Sequence, residues 1–178
     1  VPQGENRATL PGTLVLQAVG QVWTVSYCST DSTRVVAKEH AGERVVLSGC
    51  TVDRDACRDA LLRWLRRKAA AVLEPWLREM AQEGGFTVDR VTLRSQRTRW
   101  ASCSRGGSVS LNLRLLFVAP EIARHVMLHE LCHTVRMDHS AHFWALLEKH
   151  DPEWRAHRRD ARIAWRGLPS WLDGRLEP

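Results

Sequence analysis

His129-Glu130-Leu131-Cys132-His133 decides how this chain is read, together with Asp138-His139-Ser140-Ala141-His142-Phe143-Trp144 just beyond it. Two histidines four residues apart stand one turn apart on one helix face. From there both imidazoles reach a single zinc ion at about 2.0–2.1 Å. Glu130 follows the first of them, where its carboxylate meets an ion-bound water rather than the ion, the place of a general base. A bare HxxxH is more often an ordinary pair of histidines; Glu130 and a further histidine downstream set this one apart. A catalytic ion keeps one position open, so it takes three protein ligands and the third comes from elsewhere. His139, ten residues after His129, is the first choice, with His142, Glu148 and His150 as rivals. The spacing matches HExxHxxGxxH except that Arg136 replaces the glycine, so Met137 or Asp138 is expected to take up the backbone change.

The rest of the composition sets bounds. The chain has 178 residues, 44% of them hydrophobic and 26% charged, enough for one domain with a real core and against wholesale disorder. Its net charge of +6 admits nucleic acid or acidic partners without establishing either. No apolar run is long enough for a membrane span, so no membrane partner is expected. Of its 8 histidines, all but His40 fall between His125 and His157. The 5 cysteines are odd in number and form no CxxC pair. That pattern reads as reduced thiols, and with no signal peptide visible it gives a cytoplasmic expectation.

Alternation from Thr13 to Leu47 predicts a small antiparallel sheet, with Gly20-Gln21 as a hairpin turn. Residues 53–83 switch to helical spacing around Leu61, Trp64, Leu65 and Leu73, with a kink or break expected at Pro75. The arginines of this helix alternate with Asp53, Asp55 and Asp59 and read as a solvated face. Strands are expected over 86–94 and 108–116. A helix opens at Ala119-Pro120, another after Ser140, and a last one after Asp151-Pro152.

Arg97-Thr-Arg-Trp-Ala-Ser-Cys-Ser104, Val109-Ser-Leu-Asn-Leu113, the HExxH segment and Asp138-His-Ser-Ala-His-Phe-Trp144 together resemble the YgjP-like metallopeptidases, zincins related to the SprT-like proteases. Ala101 departs from the usual glycine, Thr98 from serine and Asp138 from asparagine; none removes a ligand or the base. The resemblance implies an α+β, zincin-like fold with an N-terminal antiparallel sheet and an HExxH helix, and it supports His139 as third ligand. The expected organisation is a flexible arm (1–12), a β-sheet section (13–50), a zincin-like core (51–166) and a tail (167–178), with 13–166 as one compact unit.

The expected activity is hydrolysis of peptide bonds, with one zinc ion on His129, His133 and His139 and Glu130 as base. Ser108–Leu113 would pair with extended substrate as an edge strand. Arg97, Trp100 and Asn112 are candidates for substrate binding, although Trp100 is equally at home in a core. His125 reads as a surface residue or a support behind the ligands. His157, Arg155 and Arg158 are the region from which an oxyanion donor would come. Two other readings stand beside this one. The acid-free run Arg90–Arg105 suits a nucleic-acid-associated protein with ancillary or weak protease activity, as SprT-like relatives act on DNA-bound protein. A purely structural zinc site would need a fourth ligand such as Cys132 or His142.

Overall fold

A computed structural model describes residues 9–173. The expected arm (1–12) and tail (167–178) therefore lie partly outside the described residues. The fold is α+β, and the described residues divide into two compact units, 9–15 with 21–65 and 168–173, and 16–20 with 66–167.

The first unit is built on a four-stranded sheet: β1 (Thr13–Leu16), β2 (Gln21–Ser29), β3 (Val36–His40) and β4 (Arg44–Gly49), in the order β1-β2-β4-β3. The expectation of a wholly antiparallel sheet needs correction. β3 and β4 form an antiparallel hairpin, but β4 then lies between β3 and β2 and runs parallel to β2. Alternation reveals which face of a strand is buried and says nothing about its neighbour, so sequential pairing was the wrong default. The turn after β1 is a 3₁₀ turn, Gln17–Val19, closed by Gly20 in the left-handed region at φ 63°. Gly49 ends β4 at φ 134°, where a Cβ would collide with the carbonyl of Arg34.

Helix α1 (Arg54–Gly84) is assigned as one helix with Pro75 inside it, where a kink or a break was expected. Asp53 caps its start, Oδ1 accepting the Ala56 N–H at 2.9 Å. In the first unit its anchor is Trp64, which is 1% exposed. The Trp64 ring meets Trp23 edge-on at 5.1 Å and its Nε1–H donates to Glu39 at 2.9 Å.

The second unit holds a three-stranded sheet, β5 (Val91–Arg94), β6 (Ala101–Cys103) and β7 (Val109–Asn112), in the order β5-β7-β6. The expected strand 108–116 stops at Asn112 because Leu113–Phe117 turns into a buried 3₁₀ segment. Asn112 Oδ1 caps that segment by accepting the Arg114 N–H at 3.1 Å. Three helices follow: α2 (Pro120–His133), α3 (Ala141–His150) and α4 (Trp154–Arg166). Pro120 at the first helical position starts α2. Its Ala123, Met127, Leu128 and Leu131 are buried, which seats the helix in the core. No helix among the described residues is long and apolar enough to cross a membrane. All 5 cysteines are free thiols, with Cys57 and Cys132 buried and Cys28 exposed.

Removing the Trp64 ring empties a fully packed site and breaks its bond to Glu39. Trp64→Ala is expected to lower stability by about 3–5 kcal/mol, read from the midpoint of urea unfolding.

Candidate metal centre

The pitch of α2 places His129 and His133 side by side, their Nε2 atoms 3.2 Å apart. His139 arrives from beyond the end of the helix with its Nε2 3.1 Å from that of His129. The turn between them has no glycine and needs no left-handed residue, since Glu43 is the only non-glycine with positive φ among the described residues. The expected strain at Met137 or Asp138 is therefore absent. Instead, the Val135 and Arg136 N–H groups both donate to the carbonyl of Cys132, at 3.1 and 2.9 Å, which tightens the helix end.

His133 Nδ1–H donates to the Arg136 carbonyl at 2.9 Å. That bond leaves the lone pair of its Nε2 facing the other two rings. Phe143 and Trp144 of α3 hold the rings in place: Phe143 stacks on His133 at 4.6 Å and Trp144 on His139 at 5.4 Å. Burial, with help from its imidazole neighbours, lowers the pKa of His129 to about 3. Three imidazole nitrogens converge, and one proton on His129 Nε2 cannot serve both partners. Tetrahedral ligands about 2.0–2.1 Å from an ion lie about 3.3 Å apart, so the donor set fits a bound metal ion. The rivals are elsewhere: His142 is exposed, Glu148 pairs with Arg155 at 2.8 Å, and His150 packs on Phe86 at 5.0 Å. Cys132 is buried, its thiol pushed up to about 12 by that burial, and it does not join the group.

Glu130 is 7% exposed and shares with His129 the wall of a cavity of about 280 Å³. Burial raises its carboxyl pKa to about 7, against the opposing pull of the Arg99 guanidinium. Trp100 also lines this cavity. Its ring meets Trp165 edge-on at 4.6 Å and its Nε1–H donates to the Ala161 carbonyl at 3.2 Å, tying the segment before β6 to α4. Asn112 is 2% exposed. Its Nδ2 donates to the carbonyls of Gln96 and Arg99, at 2.7 and 2.8 Å, so it shapes the loop that carries Arg99. Arg97 is exposed and is not part of the cavity wall.

Sequence reasoning missed three features. β7 is the central strand, paired on both sides, so Ser108–Leu113 has no free edge for substrate; β6 is an edge strand, and its Ala101 lines the cavity. His125 is not at the surface. It is 4% exposed and bonds through Nδ1 to Asp151 Oδ2 at 2.6 Å, while His157 Nδ1 takes the other oxygen at 2.9 Å. Asp151 had been read only as a helix start, and nothing in its Asp-Pro context signals a buried carboxylate. Arg99 was seen as one charge in a basic run, and its nearness to Glu130 depends on the fold.

A helix that presents two histidines and a glutamate to a cleft, with a third histidine brought in from the following turn, suits a metallopeptidase. The chain belongs to the YgjP-like metallopeptidase family, whose domain profile matches residues 5–162. Among solved structures, the crystal structure of the metallopeptidase zymogen of Pyrococcus abyssi abylysin is similar: 26% identical, covering 53% of this chain and 94% of that one, with a TM-score of 0.46. No curated protein matches the chain.

Two outcomes follow. His129→Ala, His133→Ala and His139→Ala are each expected to abolish stoichiometric metal binding, measured by elemental analysis after dialysis, while His142→Ala and His150→Ala retain it. Asp151→Ala strips two imidazoles of their shared acceptor and is expected to cost about 1–3 kcal/mol in urea unfolding.

Proposed function

We propose that this chain is a zinc-dependent peptidase in which His129, His133 and His139 hold the ion and Glu130 is the general base. The observation that carries this reading is the convergence of the three Nε2 atoms beside a buried glutamate at a cavity wall. Three neutral imidazoles suit zinc, and they leave a fourth tetrahedral position for water. Zinc, when bound, would lower the pKa of its water and polarise the scissile carbonyl.

The remaining steps fall to the chain's own side chains. Glu130 takes the proton from the attacking water and returns it to the leaving amine. Its burial supports this role: an apolar setting weakens the preference for charge, so the carboxyl both accepts and releases a proton near neutral pH. Arg99 keeps it from being protonated too readily. Extended substrate adds to the edge of β6, whose first residue, Ala101, lies at the cavity. Trp100, fixed by its bonds to α4, forms part of the substrate wall.

Glu130→Gln keeps the shape and removes the base. It is expected to retain zinc and lose about 10²–10⁴-fold in turnover of an unfolded protein substrate, measured by release of new amino termini. Near wild-type turnover with zinc in place would rule out the assignment.

A further inference from the structure

The cavity beside Glu130 is more cationic than peptide hydrolysis requires. Arg99, Arg158 and Arg162 line it with His125 and His129, and Glu130 is the one carboxylate among its lining residues. Arg158 and Arg162 stand four apart on α4, so both present the same face. Like charges at that spacing repel and weaken a helix unless something neutralises them.

Two other arginines of α4 have carboxylate partners. Arg155 Nη1 meets Glu148 at 2.8 Å and Arg159 Nε meets Asp160 at 3.0 Å. Among the described residues no ion pair engages Arg99, Arg158 or Arg162. Arg158 lies over the Trp144 ring at 5.0 Å, which orients its guanidinium without cancelling its charge. Between the two, Ala161 lines the same cavity with a small apolar surface.

We propose that this cavity is a subsite for an acidic side chain of the peptide substrate, with Arg158 and Arg162 as its carboxylate-binding pair and Arg99 contributing from the loop before β6. This rests on the peptidase reading and names the substrate class for that site. Size supports it. About 280 Å³ falls just below the range of about 300–1,000 Å³ typical of small-molecule pockets and suits one side chain. Guanidinium forks match a carboxylate in geometry as well as charge. The cationic surface also continues. A second cavity, of about 530 Å³, shares Arg99 and adds Arg90 and Arg94 with the hydroxyls of Ser102, Ser108 and Ser110. No aromatic side chain lines it. Binding of single-stranded nucleic acid relies on successive stacking platforms, so an acidic polypeptide is the better occupant.

The test uses the zinc-loaded full chain carrying Glu130→Gln, so that binding is read without turnover. Fluorescein-labelled short peptides differ only in Glu or Gln at one scanned position, and anisotropy gives their affinities. At one position the Glu peptide is expected to bind about tenfold tighter, with the advantage shrinking as salt rises. Arg158→Gln with Arg162→Gln is expected to erase that advantage, and Arg158→Glu with Arg162→Glu to transfer it to a Lys peptide. Both arginines are exposed, so the variants should fold, which circular dichroism and zinc content check. Equal affinity for Glu and Gln peptides at every position overturns the inference, as does an advantage that survives the double variant. Displacement of the peptide by oligothymidylate at lower concentration than by a Glu-containing competitor overturns it too, in favour of nucleic acid. Cleavage of the labelled peptide by the Glu130→Gln variant would refute the general-base role alone; affinities are then read on the metal-free chain, so the two failures stay distinguishable.

Discussion

His129 Nε2 lies 3.2 Å from that of His133 and 3.1 Å from that of His139, and the rest of the site follows from that crowding. Nitrogen lone pairs at such a distance repel unless a proton or a cation stands between them. One proton cannot bridge both contacts, and burial makes charge on His129 costly. A metal ion satisfies all three at once. The surrounding structure keeps the rings close: the pitch of α2 supplies two, the tightened turn after Cys132 delivers the third, and Phe143 and Trp144 limit their movement.

The charges around this centre are sorted by burial. Glu130 sits in the wall of the cleft, where low polarity raises its pKa and one arginine restrains the rise. Asp151 is buried behind the cleft, where His125 and His157 each take one of its oxygens. Arg99, Arg158 and Arg162 are exposed, where a guanidinium costs little. Trp100 and Asn112 fix the loop that carries Arg99, and so couple the sheet to the electrostatics of the cleft.

Much of this could be read from residue spacing. The pair His129 and His133 follows from helical pitch alone, and His139 from the need for a third ligand at a known span. The start of α2 at Pro120 and the break before α3 were equally visible. What escaped depends on long-range pairing. β4 inserts between β2 and β3, and β7 between β5 and β6, yet an alternating strand carries no label for its partner. Burial of His125 with Asp151 joins residues on either side of α3, and local pattern cannot foresee it. Asn112 enters the sequence reading as a substrate-binding candidate; its amide shapes a loop that lies far from it in sequence.

X-ray absorption at the zinc edge of the metal-loaded protein tests the central claim most directly. Three imidazole nitrogens and one light-atom solvent ligand, at about 2.0–2.1 Å, are the expected first shell. A sulfur at about 2.3 Å, or a fourth protein ligand closing the shell, would contradict an open catalytic centre on His129, His133 and His139.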